Sequence, residues 1–397
     1  MRPLPAALLA LFVCAAPLSP AEPHADLLAR IRRHMSDNLA RLPNYTCVET
    51  IERSGRPQSI HHFTLIDRLR LEVAYVAGRE LYSWPGAGSF EEKSISEIVG
   101  RGAAISTGDF ALHAHAVFSS DAPEFTWAGD GERGGRKTVR FDFRVPLARS
   151  RYQIQTGAAP ITVAYRGAIE ADPETLAPLR LEVLADSPPP ELKIHSAGET
   201  IEYAEMHIGE SAFLLPVSAE LTMVEADGHV NRNLTHFEGC RQYSGASTIR
   251  FDVDSAGSAR GDASPIELPS GVNIEARLRN VIDYDTAARG DQVFAVVSSD
   301  VKRAGHVLVP KGAVLTGRIT RVAMNTVRSS VYFGVGLRLQ TIEFEGRRGT
   351  FAGDIEAAGI GPNYYVGLDR ETGDPIVYVK TIVPHFLAGT RLSLRTK

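Results

Sequence analysis

The chain has 397 residues, 44% of them hydrophobic and 23% charged, with a formal net charge of −4. That length supports two or three domains with real cores, and the composition is that of a folded globular protein. Acidic and basic residues are interspersed, which excludes a nucleic-acid partner held by a dense basic face.

Residues 1–21 run from Arg2 through an apolar stretch, Leu4 to Leu18, to Ser19-Pro20-Ala21, the order of a secretory signal. An exported, periplasmic or secreted protein is expected. After Leu18 no segment reaches the 18 apolar residues of a membrane helix, so no transmembrane helix is expected in the mature chain. Cys14 has the upstream Leu11 of a lipoprotein signal, but Val13 stands where a small residue is wanted. A lipid tether there is the less favoured alternative. Removal of the signal leaves Cys47 and Cys240, expected to form one disulfide in an oxidising compartment. The loop of about 194 residues would give roughly 5 kcal/mol as an upper chain-entropy figure. Neither cysteine lies in C-x-x-C, which weakens a metal or redox reading.

Within 24–42, Leu27, Leu28, Ile31, Met35, Leu39 and Leu42 recur at helical spacing, and Pro43 ends the pattern. Arg68 to Tyr75 alternates as a half-buried strand. A helical passage is expected from Ser94 to Phe118, with Ser94 and Glu97 as a capping box and Gly100, Gly102 and Gly108 as interruptions. Short strands follow: Phe125–Trp127, Val139–Val145, Tyr152–Ile154, Ile161–Tyr165, Leu179–Val183, Ile201–Tyr203, Val217–Met223 and a last one to Cys240. One leading helix, a helical insertion and antiparallel strands give an α+β class, with the disulfide joining the first strand of this domain to its last.

Residues 246–268 are rich in Ser, Ala, Gly and Asp and read as a flexible linker. The expected organisation is a signal peptide (1–21), a curved-sheet α+β domain (22–245), the linker (246–268) and an all-β barrel or sandwich (269–397). In the last unit Pro269-Ser270-Gly271 and Pro310-Lys311-Gly312 each precede an apolar strand. Pro and Gly are expected there at the second and fourth positions of type I turns.

The chemical motifs are thin. Gly129-x-Gly131-x-x-Gly134 matches a dinucleotide fingerprint in letters, but strands flank it on both sides, so a glycine-rich hairpin tip is expected. His113 and His115 fall on opposite faces of a helix, and His61 and His62 on opposite faces of a strand. Arg260-Gly261-Asp262 and Arg289-Gly290-Asp291 recur as chance adhesion tripeptides. No catalytic residue, cofactor or metal ligand is assigned. Tyr75, Trp84, Trp127, Phe141, Phe143 and Tyr165 could line an apolar groove for an acyl chain or peptide, or be core beneath the helices; both readings stay open.

Leu42-Pro43-Asn44-Tyr45-Thr46-Cys47 after the helix, with Tyr165-Arg166-Gly167 and Asp172-Pro173-Glu174-Thr175, resembles exported bacterial proteins whose plan is similar to the periplasmic lipoprotein-carrier half-barrel. The resemblance covers about 24–243 and implies binding of lipid or lipoprotein. Gly290-Asp291, Val309-Pro310-Lys311-Gly312-Ala313 and Leu315-Thr316-Gly317-Arg318 resemble the β-barrel domain of conjugation and type IV secretion scaffolds, over about 268–356. The resulting expectation is a non-catalytic envelope protein that binds a lipid, lipoprotein or protein partner. The alternatives are a secreted hydrolase with residues dispersed over loops and a purely structural scaffold.

Overall fold

The computed structural model describes residues 23–243 and 266–397, apart from short interruptions at 77, 88–89, 91–94, 100–103, 106, 157–158, 328–329, 360–362, 370–371 and 382–383. The signal segment, Cys14, Ser94 and most of the linker, including Arg260-Gly261-Asp262, lie outside the described residues.

The α+β expectation is overturned. The described residues form twenty-five strands and three α-helices, so the chain is mainly β. Among the described residues the helical passage is two short helices, as its interrupting glycines led one to expect, whereas several strands are two to three times longer than the alternation suggested.

The N-terminal unit begins with α1 (Pro23–Arg41) and then β1 (Tyr45–Arg56), β2 (Thr64–Val76) and β3 (Arg79–Ser83). After α2 (Ile95–Val99) and α3 (Leu112–Phe118) come β4 (Glu124–Arg133) and β5 (Arg136–Val145). A small ribbon, β6 (Gln153–Ile154) with β7 (Ile161–Thr162), precedes β8 (Ala164–Ala171) and β9 (Pro178–Asp186). The long strands β10 (Ile194–Ile208), β11 (Ser211–Glu225) and β12 (Val230–Gln242) complete the unit. Ten strands join one antiparallel sheet in the order β3-β2-β1-β12-β11-β10-β9-β8-β5-β4.

The sheet must be strongly curled. Five strand steps separate β3 from β10, about 24 Å if flat. Yet Glu80 on β3 accepts bonds from Gly108 and Ala111, while His113, only two residues further on, lies 3.1 Å from Glu199 on β10. The curl brings the inward faces together around the helices. Ile31 and Met35 of α1, with Ala114, Val117 and Phe118 of α3, join Phe141, Phe143, Tyr165, Leu181 and Ile201 in one apolar cluster. Asn38 fixes α1 to β11 by pairing both backbone groups of Leu214, at 2.8 and 3.0 Å.

Cys47 and Cys240 are joined. Their strands, β1 and β12, are hydrogen-bonded neighbours in mid-sheet, and the bond sits where their register shifts between Thr46 and Val48. The link therefore staples the sequence ends of the domain across a seam inside the sheet.

The glycine motif divides between two jobs. Gly134 and Gly135, at φ +57° and +80°, make the β4–β5 turn. Gly129, at φ +124°, sits at a bulge in β4, so only the last glycine is at the hairpin tip. His61 and His62 lie in the connection between β1 and β2 rather than on a strand.

In the C-terminal unit a nine-stranded antiparallel sheet runs Gly353–Ala358, Arg391–Thr396, Asn273–Leu278, Gln292–Val297, Val314–Val327, Ser330–Phe344, Pro375–Lys380, Tyr364–Leu368, with Arg347–Thr350 paired beside Ser330–Phe344. Its first and last strands approach each other, giving a nearly closed barrel around Ile274, Ala295, Leu315, Phe333, Val335 and Leu394. The Pro-Lys-Gly turn is one residue out from the expected register. Ala313 N–H bonds Pro310 C=O, and Gly312 takes φ +92° as the third residue, a conformation that favours glycine.

The two units touch along β2. Leu69 and Arg289 form a parallel bridge, closed by Arg70 N–H to Arg289 C=O and Arg289 N–H to Arg68 C=O, both 2.8 Å. Arg70 pairs with Asp291, and Arg289 Nη1 donates to Val99 C=O at the end of α2. The second adhesion-like tripeptide is thus spent on this contact. A Cβ on Gly290 would lie 2.2 Å from Arg70 C=O and 2.6 Å from the Trp84 ring, so only glycine fits there.

Candidate functional site

The six aromatic residues named for an apolar groove fall in three parts of the fold. Phe141, Phe143 and Tyr165 are buried in the cluster beneath α1 and α3. Trp127 flanks that cluster, stacked 3.9 Å from the His24 ring of α1 and edge-on to Phe141. Tyr75 stacks on His115 of α3 at 4.8 Å. Trp84 lies apart, at the contact between the units, with the Arg289 and Arg318 guanidinium groups 5.6 and 5.4 Å from its ring.

A different constellation occupies the interior. β1 turns Tyr45, Cys47, Glu49, Ile51 and Arg53 inward, and β10 turns Ala197, Glu199, Ile201 and Tyr203 inward. Strand alternation thereby places two carboxylates in the apolar phase. Asp109, just before α3, and His113, on its buried face, complete the group. Glu49, Asp109, His113 and Glu199 are between 1% and 6% exposed. Three apolar clusters meet around them: that of α1 and α3, that of Tyr45, Leu71 and Phe110, and a smaller one of Ile154, Leu192 and Ala197.

Glu80 plays a structural part. Its carboxylate accepts from the backbone N–H groups of Gly108, Ala111 and Leu112 at 2.7, 2.8 and 3.1 Å, and from Tyr82 Oη at 2.8 Å. It satisfies the open first turn of α3 that Ala111 cannot cap.

The other groups lack such partners. Among the described residues, Glu49 Oε2, Asp109 Oδ1, both Glu199 oxygens, Asn233 Oδ1 and the Tyr203 hydroxyl are buried with no hydrogen bond. His113 Nε2 lies 3.1 Å from Glu199 Oε2 but out of hydrogen-bonding alignment. Burial pushes the Glu49 carboxyl well above the usual carboxylate range, and the charges of Glu80 and Glu199 push further. Asp109 is raised in the same way, by burial and then by Glu199, Glu49 and Glu80. Buried tyrosines follow: Tyr45, Tyr82 and Tyr203 are all raised, first by burial, then by Glu80 at Tyr45 and Tyr82, and by Tyr45 ahead of Asp109 and Glu199 at Tyr203.

The sign of the pH effect follows. A carboxyl raised on folding binds its proton more tightly in the native state, so stability falls as pH climbs from about 4 towards the native value. His115 opposes this at the acid end, because burial lowers its pKa and it must stay neutral. The double variant Glu49→Gln with Asp109→Asn removes the first effect alone. Urea unfolding is expected to show the variant gaining stability relative to wild type as pH rises from 5 to 8. A difference independent of pH would mean that neither carboxyl is raised.

Histidine spacing does not point to these residues, and no sequence motif contains Glu49, Asp109 or Glu199. The available signal was phase: an acid at the inward position of Tyr45-x-Cys47-x-Glu49-x-Ile51, and another in Ala197-x-Glu199-x-Ile201. No group of three or more His, Cys, Asp or Glu among the described residues is arranged to hold a metal ion.

Two open clefts lie elsewhere. One, of about 450 Å³, is lined by Arg56, Gln58, His61, His195 and Asp227, and another, of about 310 Å³, lies at the contact between the units. Neither is lined by the acidic cluster.

No family model matches the chain. No curated protein matches it either. Among solved structures, the chain is similar to ComB10 of the Com type IV secretion system of Helicobacter pylori, at 15% identity over 32% of this chain and 86% of that one, TM-score 0.19. It is similar to an outer membrane lipoprotein-sorting protein domain from Vibrio parahaemolyticus, at 11% identity over 55% and 92%, TM-score 0.31. A DUF1329 family protein from Desulfovibrio piger is similar at 11% identity over 56% and 95%, TM-score 0.30. Likeness at this level carries nothing about activity. No helix among the described residues is long and apolar enough to cross a membrane.

Proposed function

We propose that the protein is a non-catalytic, exported binding protein of the bacterial cell envelope that takes an amphiphile, a lipid or the lipid part of a lipoprotein, into its N-terminal half-barrel. The observation that carries this reading is the meeting of three apolar clusters around buried polar atoms that lack partners, beneath short helices. A finished core satisfies its polar groups, whereas a site that closes over a ligand leaves them to the ligand. Solvent extraction and mass spectrometry of the purified protein test it. Stoichiometric lipid, or saturable uptake of a fluorescent fatty acid, is expected. Protein that neither carries nor takes up an amphiphile would refute it.

One observation favours a second reading, a hydrolase. Two raised carboxyls beside His113 and Glu199 are groups of the kind that act as general acids and bases. Turnover of chromogenic esters or glycosides, abolished by Glu199→Gln, would favour the enzyme.

A further inference from the structure

The unpartnered groups have a bias that names a ligand chemistry. Glu49 Oε2, Asp109 Oδ1 and both Glu199 oxygens are acceptors when ionised and make no hydrogen bond among the described residues; the one unpartnered nitrogen beside them, His113 Nε2, lies 3.1 Å from Glu199 Oε2 out of alignment. Tyr203, which is not acidic, adds a buried hydroxyl with no partner from the same inward face of β10 as Glu199. Glu80, by contrast, is fully bonded by four donors, so the fold supplies donors where the acid is structural. What the cluster lacks is a compact cation with several N–H groups. An alkyl chain attached to it would meet the flanking apolar side chains of Tyr45, Phe110, Ile201 and Tyr165.

We propose that Glu49, Asp109, Glu199 and Tyr203 form a binding site for the primary ammonium head of an amphiphile. This rests on the amphiphile reading above and specifies its head group. An ammonium donates three N–H bonds into the site and lets Glu49 and Asp109, whose carboxyls burial holds towards the neutral form, ionise against it. A quaternary ammonium has the charge but no donor, and a carboxylate has neither. The site is fully covered, so association is expected to be slower than the 10⁵ M⁻¹s⁻¹ or so of an open protein surface.

The test is calorimetric titration of the full mature chain with octylamine, octyltrimethylammonium and octanoate. Octylamine is expected to bind at least tenfold tighter than the other two. Glu199→Gln is expected to erase that preference, with circular dichroism confirming the fold. Should that variant fail to fold, Tyr203→Phe is expected to narrow the preference severalfold. Equal affinity for the three heads, or an unchanged preference in the folded variants, would overturn the ammonium site while leaving the amphiphile reading intact. If none of the three binds, both fall together.

Discussion

Replacing both Cys47 and Cys240 by Ser is expected to lower the stability of the N-terminal unit by about 3–5 kcal/mol. The bond closes a sequence separation of 193 residues, and a loop of that size carries a large entropy in the unfolded chain. The native state loses little when the bond is absent, because β1 and β12 remain paired from Tyr45↔Gln242 to Arg56↔Val230. The effect therefore acts through the unfolded ensemble. Urea unfolding of the oxidised protein and the double-Ser variant measures it, and coincident midpoints would contradict it. Cys47 is 1% exposed within the cluster of Tyr45, Leu71 and Phe110, so Ser also leaves a buried hydroxyl there.

Glu80→Ala is the second large effect, about 3 kcal/mol. The substitution strands three backbone N–H groups at Gly108, Ala111 and Leu112 and removes the acceptor of the Tyr82 hydroxyl. A hydrogen bond to a charged acceptor contributes about 1.5–3 kcal/mol, and bonds that share one carboxylate do not add. Relief of repulsion at Glu49 and Asp109 returns part of the loss. Glu80→Gln keeps one acceptor oxygen and is expected to cost about half as much. Amide exchange separates this from a general loosening: the Ala111 and Leu112 amides should exchange faster in the variant while β10 and β11 amides keep their protection. Uniform acceleration would place the role of Glu80 elsewhere.

Much of the fold was legible where one face is apolar and the other wet. The periodicity from Leu27 to Leu39 located α1, and Leu69, Leu71 and Val73 are inward as their alternation requires. The helices Ile95–Val99 and Leu112–Phe118 fall where the interrupted passage was expected, so the α+β class failed on the extent of the strands. Strand lengths were understated because β10 and β11 carry polar residues such as Glu199, Glu202 and Glu220 that interrupt the apolar pattern without ending the ladder. The acidic cluster depends on that curl, which brings β1, β3 and β10 to one place, and no local pattern encodes it. The contact between the units rests on Gly290, whose need for φ +106° and for space against Trp84 is visible only once β2 is beside it.

The central claim is that the half-barrel opens to take an amphiphile. The protein has two tryptophans, Trp84 at the contact between the units and Trp127 stacked on α1. In a Trp84→Phe variant, Trp127 alone reports whether α1 moves. Titration with octylamine and with a fatty acid, each below its micellar concentration, is expected to give a saturable change in Trp127 emission as its stacking on His24 is lost. Emission that stays constant through both titrations, from a protein that is folded and free of lipid, would contradict the account.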